Sequence, residues 1–357
     1  MPSLALVMIA RDEARCIARC LLSAAAHVDE MWVLDTGSVD DTPAIAQRCG
    51  ATVARWEWRD DFAAARNAAL ALTRADWRLV IDADEWIGAG AATLDDWRRD
   101  AAPRIGLLRV ASLVEGAGAD GQVATSWLPR LLPRGVAYRG RVHEQPLSAL
   151  PRQRLGLQLL HDGYLPGPMV PKRGRNRRLL QQALQADPGD AYLHYQLGKD
   201  HEVHGEFAAA EPCYAIAQQL GDAAAAWRHD LVLRTIYTRK KLGAFAAAMA
   251  LAEAEMPRWQ SSPDFFFTLG DLLLDWAATQ PRHASRLLPM AEGCWQRALA
   301  IGENPGLPDT VRGRGSFLAA HNLAVLCEGL GDAAQAGIWR ERSMCMRVEA
   351  EAADAVV

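Results

Sequence analysis

The first 85 residues alternate short apolar runs with amphipathic stretches, and this alternation restricts the fold more than any other feature of the chain. Leu4–Ile9, Glu30–Leu34, Thr52–Arg55 and Trp77–Ile81 read as strands, and Ala14–Ala25, Thr42–Arg48 and Phe62–Thr73 between them read as helices. Strands separated by helices pair in parallel, because each connection must carry the chain back across the sheet by a right-handed crossover. The expectation is an α/β N-terminal domain built on an open, mostly parallel, Rossmann-like sheet. Ligands of such sheets sit beyond the C-terminal ends of the strands, so the informative residues should follow the strands. Residues 103–175 carry Pro129, Pro133, Pro146, Pro151, Pro166, Pro168 and Pro171, with short strands such as Leu107–Val114, and read as a less regular second part of the same domain.

From about residue 175 strand signals vanish, and a small-and-large repeat takes over. Leu197-Gly198 is followed by Gly205, Ala210, Tyr214 and Ala217; Leu269-Gly270 by Ala291, Trp295 and Ala298; Leu323-Ala324 by Gly331, Ala336, Arg340 and Ser343. A weaker copy runs through Gly243, Ala248 and Ala252. Small residues let two antiparallel helices approach, and the large one fills the gap between repeats. The spacing predicts about four helical hairpins. The boundaries follow: a catalytic domain over 1–170, a linker helix over 171–188 and an all-α repeat domain over 189–357.

Composition limits the partners. A formal net charge of -4 gives no general attraction to nucleic acid or anionic lipid, although Pro171–Arg178 is a dense basic stretch. Seven cysteines without a CxxC pair read as free thiols of a reducing cytosol rather than a disulfide framework or zinc site. The apolar run Leu4–Ala10 lacks the features of a secretory leader. No run approaches the roughly 18 apolar residues that span a bilayer. These readings predict a cytoplasmic protein with no integral membrane segment and no nucleic-acid partner.

Asp82-Ala83-Asp84 follows the strand Leu79–Ile81 and is the strongest local signal. Two carboxylates at i and i+2 on a strand end repel one another, and Mg2+ or Mn2+ relieves that repulsion while bridging to a diphosphate. The bland alternative is a solvated acidic turn. Three further groups end on the same side of the sheet. Asp12-Glu13 closes the first strand. Asp35 follows the second, where Gly37 permits a tight turn and Asp40 or Asp41 can cap the next helix. Arg66, on the third helix, can reach a base or phosphate. Gly116–Gly121 matches GxGxxG but lacks the following helix and acidic partner, and reads as a hairpin loop. His143-Glu144 starts like a zinc-protease motif, yet Pro146 and Leu147 break it. Cys16, Cys20 and His27 are better explained by one helix face packed on the sheet than by a metal site.

The runs LVMIARDEARCIARCL, DEMWVLDTGSVDDT, WEWRDDFAAARNAAL and DWRLVIDADE together resemble the inverting family 2 of GT-A-fold glycosyltransferases, and the likeness continues in Tyr138–Gln145 and His161–Tyr164. With the repeats behind it, the order is similar to the peptide S-glycosyltransferases of glycosylated bacteriocins. The resemblance implies a UDP-sugar donor with Asp12, Asp35 and Arg66 at its nucleotide end. It implies Asp82 near the ribose or a metal-bound water, and Asp84 as the direct ligand of Mg2+ or Mn2+. His161 or His143 would supply a second metal or diphosphate contact, and Lys172 and Arg173 would close over the phosphates. Glu144, with Glu115 behind it, is the candidate general base; the acidic pair that usually supplies it has no copy here. The implied acceptor is a peptide Cys or Ser/Thr side chain, with a surface polysaccharide or lipopolysaccharide as the alternative. A scaffold with a degenerate nucleotide-binding domain is the competing class. Trp227, Trp259, Trp276, Trp295 and Trp339 suggest that the repeats also offer a groove or a homodimer interface.

Overall fold

The computed structural model describes residues 1–100, 102–114, 122–162 and 174–355. The chain divides into two units, Met1–Ala186 and Asp187–Val357.

The first unit opens with β1 (Leu4–Ala10), α1 (Ile17–Ala24), β2 (Glu30–Asp35), α2 (Thr42–Arg48), β3 (Thr52–Arg55), α3 (Phe62–Leu70) and β4 (Trp77–Val80). It continues with β5 (Glu85–Ala89), α4 (Thr93–Arg99), β6 (Ile105–Val114), β7 (Gln122–Pro133), β8 (Ala137–Arg139), β9 (Gln145–Leu147), β10 (Arg152–His161) and α5 (Arg175–Ala186). The strand order is β3-β2-β1-β4-β7-β6-β10-β5. The first four strands are parallel neighbours, as the alternation requires. β7 is antiparallel to both β4 and β6, and β10 lies parallel to β6 and antiparallel to β5. The α/β class is as expected.

β1 shows why these strands read as unbroken apolar runs. Leu4, Leu6 and Met8 join a core with Ile17 and Leu21 of α1, while Ala5 and Val7 join a second core with Ala63 and Leu70 of α3. A strand covered on both faces has no solvated side to mark with polar residues. Strand β5 and helix α4 were not expected. β5 starts on Glu85 and Trp86 directly after the acidic run, so its few apolar residues gave too short a signal.

A small separate hairpin, β8 with β9, is fixed to α3 by Asn67. Its amide nitrogen donates to the Tyr138 carbonyl at 2.9 Å, and its oxygen accepts from the Tyr138 N–H at 2.7 Å. Asp61 caps α3 by accepting from Ala64 N–H at 2.8 Å, and Phe62 N–H donates to the Arg141 carbonyl at 2.8 Å. The hairpin loop is thereby held against the first turns of α3.

The second unit is helical: α6 (Ala191–Val203), α7 (Phe207–Leu220), α8 (Arg228–Lys241), α9 (Phe245–Glu255), α10 (Pro263–Thr279), α11 (Ala284–Ile301), α12 (Phe317–Gly329) and α13 (Ala333–Ala355). They form four successive hairpins among the described residues. The small-and-large rule is literal here. A Cβ on Gly198 would lie 2.4 Å from the Tyr214 ring, and one on Gly270 would lie 2.5 Å from the Trp295 indole. Tyr214 and Trp295 are fully buried. Trp259, Trp276 and Trp339 pack on the largest helical core and Trp227 stacks on Tyr195, so inter-helix packing accounts for most of the tryptophan surface.

Candidate functional site

The sheet brings three loops together at the C-terminal ends of β1, β2 and β4. The first two are stitched to one another. Asp12 takes a left-handed backbone, φ 55°, and donates its N–H to Ser38 Oγ at 2.9 Å, while its carboxylate accepts from Val39 N–H at 2.8 Å. Asp35 is buried at the end of β2, and its carboxylate accepts from Ser38 N–H at 3.2 Å, across the turn that Gly37 makes at φ 106°. Asp40 ties the same loops, accepting from Ala14 N–H at 3.1 Å and Thr42 N–H at 2.9 Å.

Beyond β4 the chain turns through Asp82 and Glu85. Asp82 N–H donates to the Glu85 carboxylate at 2.9 Å, and Glu85 N–H returns to the Asp82 carbonyl at 3.0 Å. Two buried arginines converge on Asp82. Arg66 Nη2 donates to one carboxylate oxygen at 2.7 Å, and its Nε donates to Glu144. Arg130 Nη2 donates to the other Asp82 oxygen at 2.7 Å and to Glu85 at 2.6 Å. Burial alone would raise the Asp82 carboxyl, but Arg130 and Arg66 outweigh it and hold the group well below the usual carboxylate range. Burial opposes the charge on both arginines, yet their acidic partners keep them more firmly protonated than a free arginine. Glu85 goes the other way: burial raises it further than Arg130 can lower it.

Asp84 pairs with His161. It is buried, and its Oδ2 lies 3.6 Å from His161 Nε2 at the end of β10. The other imidazole nitrogen sits 3.0 Å from Ser112 Oγ on β6, which fixes the ring. Burial disfavours the His161 cation, but the hydrogen bond and charge of Asp84 outweigh it and raise the group above its ordinary value. The next residue, Asp162, is clasped by Arg19 at 2.7 Å and Arg15 at 3.2 Å, both from the α1 region.

Of the residues singled out in the sequence, the structure therefore joins Arg66 to Asp82 and Glu144, and Asp84 to His161. Asp12 and Asp35 lie in the neighbouring β1 and β2 loops. His143 sits in the β8–β9 connection with φ 51°. Lys172, Arg173 and Glu115, like the glycine-rich segment 116–121, lie outside the described residues. Cys16 and Cys20 are core residues beneath the site; burial and the Glu13 charge push the Cys16 thiol up to about 12. Arg130 and Glu85 were missed as site residues. The available signal was a charged residue inside the apolar run Trp127–Leu132, at a position later found to be buried.

Among the described residues no group of three His, Cys, Asp or Glu side chains is arranged to hold a metal unaided. The pair that does meet, one carboxylate and one imidazole, suits Mn2+ or Mg2+ of the kind that keeps most of its coordination for water and substrate phosphates. Asp82 is poorly placed to join them, since both its oxygens already accept from guanidinium groups.

Residues 5–91 match the model of Glycosyl transferase family 2. A TPR repeat-containing protein of Synechococcus elongatus is 34% identical over 276 residues, covering 72% of this chain and 66% of that one. The SPbeta prophage-derived glycosyltransferase SunS of Bacillus subtilis is 26% identical over 216 residues, covering 56% and 49%. The chain thus spans two thirds or less of the length of these relatives. Among solved structures, MamA from Desulfovibrio magneticus shows a partial likeness, with 14% identity, a TM-score of 0.39, and coverage of 51% of this chain and 90% of that one. The chain accordingly carries a glycosyl transferase family 2 domain at its N-terminus, matched over residues 5–91, and joins it to TPR-like helical repeats.

Proposed function

We propose that this chain is a metal-dependent, inverting glycosyltransferase that moves a sugar from a nucleotide-diphosphate sugar, with uridine as the base, to a polypeptide side chain. The observation that carries the reading is the pairing of Asp84 with His161, beside the β1 and β2 loops of a family 2 domain. Asp84 and His161 would hold the Mg2+ or Mn2+, whose contribution is to neutralise the charge that grows on the diphosphate as it leaves. Asp35 and Asp12 would face the nucleoside, with their loops held in place by Ser38 and Val39. Arg66 is fixed on two sides by Asp82 and Glu144, so its guanidinium is presented in one orientation without a rotamer search on binding.

Glu144 is largely buried and engaged by Arg66. That geometry supports a role in orienting Arg66 more directly than one in taking the acceptor proton. The two roles separate in Glu144→Gln. A lost base lowers kcat by about 10²–10⁴ with donor binding intact, whereas a lost orienting group raises the donor KM. We expect the second outcome, read from initial rates at varied donor.

The helical repeats are the proposed acceptor platform and homodimer contact. The seven free cysteines support a reducing, cytoplasmic setting, and no helix among the described residues is long and apolar enough to cross a membrane. The test is a donor screen with Mn2+, followed by mass spectrometry of peptide acceptors carrying Cys, Ser or Thr. Sugar turnover on none of them, with transfer to a lipid-linked glycan instead, would replace the polypeptide acceptor. Light scattering of the intact chain reads the dimer.

A further inference from the structure

The first carboxylate of Asp82-Ala83-Asp84 is engaged by a residue of β7, a strand distant in sequence. β7 runs antiparallel to β4 with Leu131 opposite Leu79, so Arg130, one position earlier, lies level with the end of β4. From there its guanidinium takes one oxygen of Asp82 at 2.7 Å and an oxygen of Glu85 at 2.6 Å. Arg66 takes the remaining Asp82 oxygen at 2.7 Å. The Asp82 side chain nevertheless keeps 33% exposure, whereas those of Arg130 and Arg66 keep 10% and 9%. A carboxylate accessible from the crevice and two residues from Asp84 would be a natural second ligand for a cation, were its oxygens not already committed.

Simple charge balance does not account for this arrangement. Arg130 Nε is buried with no hydrogen-bond partner, a cost that a smaller cation would avoid. A single nitrogen, Nη2, spans the two carboxylates, so one buried side chain engages Asp82 and Glu85 together. We propose that Arg130 is a positioning residue that withholds Asp82 from the cation, so that Asp84 and His161 alone serve as protein ligands and the remaining positions stay open to the donor diphosphate. This rests on the metal-dependent reading above. It adds a reason for that engagement: a cation held by both carboxylates would have less charge and fewer sites left to offer a leaving group.

The experiment is Mn2+ binding to the intact chain without nucleotide, by calorimetry and by the electron paramagnetic resonance of free Mn2+. Arg130→Met should bind Mn2+ about tenfold more tightly than wild type, because a freed carboxylate joins the ligand set. Its donor turnover should fall. Arg130→Met with Asp82→Asn should return to wild-type affinity. Glu85→Gln, which leaves Arg130 on Asp82, should bind as wild type does, whereas a purely electrostatic effect would weaken it. If Arg130→Met does not fold, Arg130→Lys replaces it, with tightening in the same direction and smaller. Unchanged or weaker Mn2+ affinity in the folded variant, or tightening that survives Asp82→Asn, overturns the assignment. Wild-type protein that binds no Mn2+ even with UDP present would overturn the metal-dependent reading itself, and this assignment with it.

Discussion

The two units each bury a cluster of arginine and carboxylate, and the clusters are finished differently. In the second unit Asp230 accepts from Tyr195, from Arg234 Nε at 2.6 Å and sits 3.4 Å from Lys199, while Arg234 Nη1 donates to Glu202 at 2.7 Å and Tyr214 donates to the same glutamate. No side-chain atom of that cluster is among the buried polar atoms without a partner. In the first unit both arginines carry one: Arg66 Nη1 and Arg130 Nε. A closed network has satisfied its members and specifies packing; an open one at a strand end keeps hydrogen-bonding capacity in reserve. The contrast holds between these two clusters and not between the units as wholes, since the second unit's other buried pair, Arg228 with Glu255, also leaves its Nε without a partner.

The comparison can be tested from both sides. The largest effect should come from Asp84→Ala, which removes a proposed metal ligand paired with His161. Transfer by the folded variant should fall by roughly 10²-fold or more, checked by rate assay with calorimetry to confirm a folded chain. Arg66→Met and Arg234→Met form a matched pair. Each strands buried carboxylates and should cost about 3–5 kcal/mol in denaturant unfolding. Only Arg66→Met should also raise the donor KM of the molecules that remain folded. An Arg234→Met protein with impaired donor binding would erase the distinction.

A smaller effect concerns pH. Burial would raise Asp230, but Arg234 and Lys199 outweigh it and leave its folded value depressed. Its contribution is therefore present above the unfolded carboxylate value of about 3.9 and lost as pH falls below it. Trp227, stacked on Tyr195 at 5.1 Å, should report that loss as a fluorescence change in mild denaturant as pH is taken from about 4 down toward the depressed folded value of Asp230. An acid-insensitive signal would mean that the cluster is not held by charge. The smallest effect should follow Gly270→Ala, whose methyl meets the Trp295 ring; about 1–3 kcal/mol of destabilisation is expected by thermal unfolding, with donor binding unchanged.

What could be read in the sequence follows the same divide. β1 to β4 and their helices were legible because doubly covered strands leave continuous apolar runs, and Gly198 with Tyr214 was legible because close helix approach has one chemical solution. Asp84 and His161 were each visible, but only β10 insertion puts them 3.6 Å apart. Arg130 was not visible as a site residue. Its partner Asp82 lies 48 positions away, and nothing in the run Trp127–Leu132 says which neighbour a buried guanidinium will find. Glu144 was read as the candidate general base because its claim on Arg66 depends on Asn67 docking the β8–β9 hairpin.

The strand order carries one more consequence, for the time course of synthesis. β10 is the last strand of the first unit's ordered path, yet it lies inside that path, between β6 and β5. A nascent chain that ends before residue 161 has β5 without its neighbour and Asp84 without its imidazole. Contacts this distant in sequence form slowly, whereas each helical hairpin of the second unit closes over adjacent segments and can form as soon as it emerges. Asp84 and His161, the proposed cation-binding pair, thus meet only at the closing step of the sheet, so a ribosome-stalled or truncated chain of the first 150 residues would expose an unpaired β-edge and lack half of that pair.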